Sequence, residues 1–216
     1  MTFLTTQNTS MKRIMLILVS FHLAVIALSN YLVQIPIEIF GVTTTWGAIT
    51  FPFIFLATDL TVRLFGSDLA RRIILVAMLP ALVTSYLLSV LFDGGQFQGF
   101  MALSEFNIHF GRIALASFLA YLCGQLLDIA VFNRLRQLPT WWIAPASSTI
   151  IGGLLDTIIF FGLAFYRSTD PIMAAHWPGI AATDYAFKIF ISLILFVPAY
   201  GLLMSVLVKH LQTQTN

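Results

Sequence analysis

The chain has 216 residues, of which 59% are hydrophobic and only 9% charged, with a net charge of +2 and a mean hydropathy of +0.92. A soluble domain carries ~25% charged residues, so this composition excludes a water-facing surface over most of the molecule. Basic residues do not cluster away from the ends of apolar runs, which excludes nucleic-acid binding.

Residues 1–10 are polar and are expected to form a disordered cytoplasmic tail. Met11-Lys12-Arg13 then opens an apolar stretch in which Ala27-Leu28-Ser29 resembles a signal-peptidase site. The stretch continues to Ile37, too long for a secretory h-region, and reads as an uncleaved first span. Between Arg13 and Glu38 the chain runs 24 residues without a charge, and further charge-free runs fall at 39–58, 73–92, 113–127, 137–155 and 189–208. About 20 helical residues cross a ~30 Å hydrocarbon layer. The runs predict spans at 13–35, 47–66, 72–92, 108–132, 141–166 and 184–208. The fold class is therefore all-α: a polytopic six-transmembrane-helix bundle. It forms one domain, 11–210, with a short cytoplasmic tail at 211–216. In the longest connection, 93–107, the DGGQFQG stretch predicts a turn and MALSEFN a short interfacial helix.

Lysine and arginine placement sets the expected orientation. One side receives Lys12, Arg13, Arg71, Arg72, Arg134, Arg136 and Lys209, whereas the other side's loops receive Arg167 with Glu38, Asp93, Glu105 and Asp170. Both termini are therefore expected to be cytoplasmic. Trp46, Trp141, Trp142 and Trp177 sit near predicted span ends as an aromatic belt. No strong internal repeat stands out: Pro52…Asp59 and Pro145…Asp156 differ in spacing.

An ionisable group deep in a bilayer costs at least ~2.5–3.5 kcal/mol, so each needs a partner, a wet cavity or a function. Asp59 and Arg63 lie four apart on one face and suggest a neutralised pair or a helix lock near the inner end. Asp184 and Lys188 repeat that spacing at the outer end of the last span, as an interfacial pair. Asp128 reads as an interfacial carboxylate drawn to Arg134 and Arg136. Arg112 either snorkels outward or turns inward as an anion or carbonyl partner. Asp156 is the hardest to dismiss, because no basic residue lies within one turn and Ser147, Ser148, Gly152 and Gly153 precede it. Asn30 and Gln34 share a face of the first span, either bridging helices or reading a ligand edge. Cys123 stands alone, and His22, His109, His176 and His210 show no metal-ligand spacing, so no metal site and no cofactor are expected.

Three segments carry a resemblance. SNYLVQIPIEIFGVTTTWGAITFPFIFLATDLTVRLFGSDLARR, VFNRLRQLPTWWIAPASSTIIGGLLDTIIFFGLAF and DYAFKIFISLILFVPAYG closely resemble the queuosine precursor transporter family of bacterial inner-membrane proteins. The similarity covers about residues 13–209. It implies an importer of 7-cyano- and 7-aminomethyl-7-deazaguanine for salvage into tRNA queuosine. The family also looks related to vitamin-uptake proteins, whose binding subunits use a partner module for energy. Ser20 and Ala24 are the one small-residue match to a docking motif for such a module. A substrate-binding subunit of an energy-coupled vitamin-type uptake complex is the alternative, and whether the partner is an energy-coupling module or a second copy is left open. An intramembrane enzyme using Asp59 and Asp156 is a weaker one, because no catalytic motif is present.

A deazaguanine base presents adjacent N–H donors that one carboxylate can accept side by side. The expected binding set is Asp156, Asn30, Gln34, Arg112, Lys188 and Tyr185, with Phe160 and Phe161 as stacking rings. Asp156 is expected to read the donor edge and Asn30 the carbonyl. Asp59 and Arg63 are assigned to gating or coupling, and Asp156 or Asp59 to a proton carried through the cycle.

Overall fold

A computed structural model of the protein describes residues 2–32, 35–39, 42–169 and 171–215. Six helical segments are long and apolar enough to cross a membrane. The first crossing is α1 (Thr2–Leu32), whose apolar part starts at Lys12, so the polar residues expected as a tail continue the same helix. A hairpin of β1 (Pro36–Ile39) and β2 (Val42–Thr45) follows, in the register Pro36↔Thr45 to Ile39↔Val42. The second crossing is α2 (Trp46–Thr50) with α3 (Phe53–Phe65), broken at Pro52, which has no amide hydrogen to continue the helical ladder. Thr45 caps its start by accepting from the Ala48 amide at 3.3 Å.

The third crossing, α4 (Ser67–Leu91), begins after Gly66, whose φ of +91° suits glycine. It ends in a two-residue hairpin, β3 (Phe92–Asp93) and β4 (Gln96–Phe97). Gly94 and Gly95 form its turn, both at positive φ, the conformation that matches strand twist in so tight a loop. A single 3₁₀ turn, Phe100–Leu103, stands where the interfacial helix was expected. Then come α5 (Ile108–Leu135) and α6 (Ile143–Phe165).

The last crossing departs most from expectation. It starts at Pro171, not near 184, and runs to Val206 as α7 (Pro171–Ile191), a π-helical turn (Ser192–Phe196) and α8 (Val197–Thr215). Proline at the first helical position has no amide to leave unpaired, so Pro171 favours the earlier start. At ~1.5 Å per residue the 36-residue segment is longer than one crossing needs.

The molecule is inside-out relative to a soluble protein. Leu75, Leu79 and Val83 form a stripe on α4 exposed by 52%, 63% and 57%. Asp59, Gln125, Asp128, Ser148 and Thr157 are buried. Lipid neither rewards burying leucine nor solvates a carboxylate, so polar side chains turn inward. His22 of α1 meets the Tyr121 hydroxyl of α5 at 3.2 Å, and Ser29 of α1 meets Thr50 of α2 at 2.9 Å. Ile54, Val62, Ile74, Ile129, Phe132 and Tyr200 fill the space between them.

Helices α5 and α6 approach each other closely at two glycines. A Cβ on Gly124 would lie 2.9 Å from the Asp156 Cβ, and one on Gly152 would lie 2.9 Å from the Gly124 carbonyl oxygen and 3.0 Å from the Asp128 Cβ. The helices carry matching sequences, GQLLD at 124–128 and GGLLD at 152–156. Because they run antiparallel, each glycine receives the other helix's aspartate, with one carboxyl group on either side of the crossing.

Candidate functional site

Between α1, α2, α5, α6 and α7 lies a cavity of about 1140 Å³. Asp93 and Gly94 of the β3–β4 hairpin, Thr45 at the end of β2, and His176 and Gly179 in the first half of α7 also line it. Both hairpins join crossings on the side opposite the chain termini, so the cavity belongs to that half of the bundle.

Asn30, Asp156, Asp184 and Lys188 contribute its polar chemistry. Lys188 Nζ lies 2.7 Å from an Asp184 oxygen and 3.7 Å from an Asp156 oxygen. The first pair is one turn apart on α7, whereas the second joins α7 to α6. Nζ also sits 5.4 Å from the Phe51 ring centroid, within cation–π range. Two acids thus share one base, which leaves an excess of acceptors in the wall. Asn30 Nδ2 is buried without a hydrogen-bond partner. A buried amide donor normally finds an acceptor, so this one is available to a ligand. Phe160 and Phe161 bring an aromatic wall, with ring centroids 5.2 Å apart in edge contact. Among the described residues no group of His, Cys, Asp or Glu is arranged to hold a metal.

Residues 45–203 match the family described as "Putative vitamin uptake transporter". A Haemophilus influenzae protein named "Probable queuosine precursor transporter" is 55% identical, over 95% of this chain and 93% of its own. The Escherichia coli K12 "Queuosine precursor transporter" is 57% identical, over 91% of this chain and 89% of its own. This chain belongs to the queuosine precursor transporter family. A Bacillus subtilis relative bearing the "Probable" form of that name is 29% identical over 80% of this chain and 77% of its own. No solved structure matches. The protein is accordingly a multi-pass membrane transporter of a small molecule and not an enzyme.

In this transporter Asp156, Asn30 and Lys188 come together at the cavity, with Phe160 and Phe161 in the same wall. Gln34 and Asp170 lie outside the described residues. Arg112 and Tyr185, expected as substrate contacts, are placed elsewhere. Tyr185 donates its hydroxyl to the Ile150 carbonyl at 2.9 Å, tying α7 to α6. Arg112 Nε donates to the Leu163 carbonyl at 2.7 Å, and its terminal nitrogens reach the Tyr166 and Arg167 carbonyls. Those are the unpaired carbonyls that a helix end leaves, so Arg112 caps α6. Arg112→Ala should lower thermal stability by about 1–3 kcal/mol through those orphaned carbonyls. The half-saturation concentration for uptake should stay unchanged; melting in detergent and concentration-dependent uptake check the two halves.

Among the described residues Asp59 and Arg63 do not form the expected ion pair. Arg63 Nη1 donates to the Arg136 carbonyl at 2.5 Å, and Arg136 Nη1 donates to the Val62 carbonyl at 2.6 Å. This reciprocal clamp fastens the end of α3 to the end of α5. Asp59 instead accepts from Ser148 Oγ at 3.3 and 3.4 Å. Asp128 is fully buried, not interfacial, because α3 and α6 close over it. Sequence reasoning missed Asp128, Ser148, Gly124 and Gly152 as a group. The signal that marks them is the paired GQLLD and GGLLD.

Proposed function

We propose that the protein imports queuosine precursors, 7-cyano- and 7-aminomethyl-7-deazaguanine, across the bacterial inner membrane, with both termini in the cytoplasm. The carrying observation is the cavity in the half opposite the termini, where an acid-rich cluster and an unpaired amide donor face an aromatic wall. The identity to transporters of that name supports the same substrate class. Asp156 accepts the two adjacent N–H donors of the base. Asn30 Nδ2 donates to its carbonyl oxygen. Phe160 and Phe161 cover the flat face, a contact worth ~1–3 kcal/mol per base in comparable sites. The acidic excess beside Lys188 also suits the aminomethyl cation.

Expression in cells that neither make the precursor nor take it up should restore queuosine in tRNA at low external precursor. Mass spectrometry of tRNA nucleosides reads the result. Restoration only at concentrations where empty-vector cells also recover overturns the assignment.

A second reading, a binding subunit with an energy-coupling partner, draws on Ser20 and Ala24, both exposed on α1. An ATPase module that copurifies in mild detergent favours it. Uptake by the chain alone in liposomes eliminates it.

A further inference from the structure

Apart from the cavity, two carboxyl groups are buried inside the bundle. Asp59 of α3 is 1% exposed and Asp128 of α5 is 0% exposed. Asp59 lies against Ser148 of α6, and Asp128 packs on Gly152 one turn further along the same helix face, which sets the two carboxyl groups side by side. Ser148 Oγ donates toward Asp59, and both Asp128 oxygens are left without a donor. Thr58, beside Asp59 in the chain, donates to Gln125 Oε1 at 2.5 Å, while Gln125 Nε2 is buried without an acceptor.

Among the described residues no cation forms an ion pair with either carboxyl group. Arg63 on α3 and Arg136 beyond α5 spend their described hydrogen bonds on backbone carbonyls. Tyr200 of α8 packs edge-on against Phe132 of α5, and α6 brings the Ser148 hydroxyl. On α1, His22 is engaged with Tyr121. Asp68 and Arg71 of α4 pair with each other at the surface. Two carboxyl groups side by side and out of water ionise together only at high cost, so the place suits one proton held between them.

We infer that Asp59 and Asp128 form a proton-carrying site that couples uptake to the proton gradient. The inference rests on the importer reading above. Ser148 lies eight residues before Asp156 on α6, ~12 Å along the axis. Asp128 packs on Gly152 and Asp156 on Gly124, so both acidic sites hang on one helix crossing. A movement there that opens the inner half brings the pair into water as the cavity closes. On arrival an O–H bond forms at a carboxylate oxygen with a proton delivered by hydronium. On departure that bond breaks and the proton returns to water inside. No electrons are exchanged.

The test uses the purified full chain, wild type and the Asp59→Asn/Asp128→Asn double variant, in two measurements. Infrared spectroscopy at neutral pH should show a buried carboxylic-acid carbonyl band in the wild type and not in the double variant. A wild type without that band, or a band that survives in the variant, overturns the proton site whatever the substrate. In proteoliposomes, labelled 7-cyano-7-deazaguanine should exchange without a gradient. An acid-outside gradient of one pH unit should then give roughly tenfold accumulation by the wild type, the limit for one proton per molecule. Asp128→Asn should lose that response. Wild-type exchange with accumulation indifferent to the gradient overturns coupling and leaves the importer intact. A carboxylic-acid band without wild-type exchange overturns the substrate assignment and supports the proton site.

Discussion

Asp156→Asn should raise the half-saturation concentration for deazaguanine uptake about 10- to 100-fold, because hydrogen bonds to a charged group contribute ~1.5–3 kcal/mol each. The substitution keeps the side chain's shape and places an amide donor where the base presents its own donors. Lys188 keeps Asp184 at 2.7 Å, so no buried cation is abandoned and the protein should still fold and reach the membrane. The Gly124 contact is made by the Asp156 Cβ, which asparagine retains. Asn30→Ala removes one neutral hydrogen bond and should cost less, about 3- to 10-fold, from ~1 kcal/mol. Initial uptake rates across substrate concentrations, at matched membrane levels, check both. Unchanged uptake in the two variants removes the assigned binding site.

Six crossings were legible in the sequence because lipid leaves so few alternatives: a charge-free run of 20 residues has one economical fate. The last crossing was misplaced because Pro178, Gly179, Asp184 and Lys188 look like a boundary. The helix runs through all of them, and Asp184 and Lys188 face a cavity, not the interface. The first hairpin was missed because each strand has only four residues, although Val42-Thr43-Thr44-Thr45 is β-branched throughout. The cavity was half legible. Asp156 and Asn30 stand out by polarity within apolar runs, but the base facing Asp156 lies 32 residues later at Lys188, a distance that only packing closes. Arg112 was ambiguous from sequence for the same reason, since its acceptors are carbonyls about 50 residues away. Asp128 was misjudged by counting residues to the nearest arginine. Its burial is decided by α3 and α6, not by its own helix.

The GQLLD and GGLLD match makes a sharper claim, because adjacent glycines should behave differently. Gly152→Ala would set a methyl group 2.9 Å from the Gly124 carbonyl oxygen and 3.0 Å from the Asp128 Cβ. Neither neighbour is the free end of a flexible chain, so α5 and α6 must move apart. Overpacking of this kind costs about 1–3 kcal/mol, and here it also shifts both aspartates from their partners. Most transport should be lost, with a lower melting temperature in detergent. At Gly153 the same methyl group meets only Tyr185 Cε2 at 3.9 Å, an ordinary contact. Alanine there should raise stability by roughly 0.5–1 kcal/mol, since glycine is the poorer helix former. The two substitutions make the same chemical change on the same turn, so helix propensity cancels in the comparison. If Gly152→Ala and Gly153→Ala transport and melt alike, the spacing of the crossing does not set the geometry of the two acidic sites.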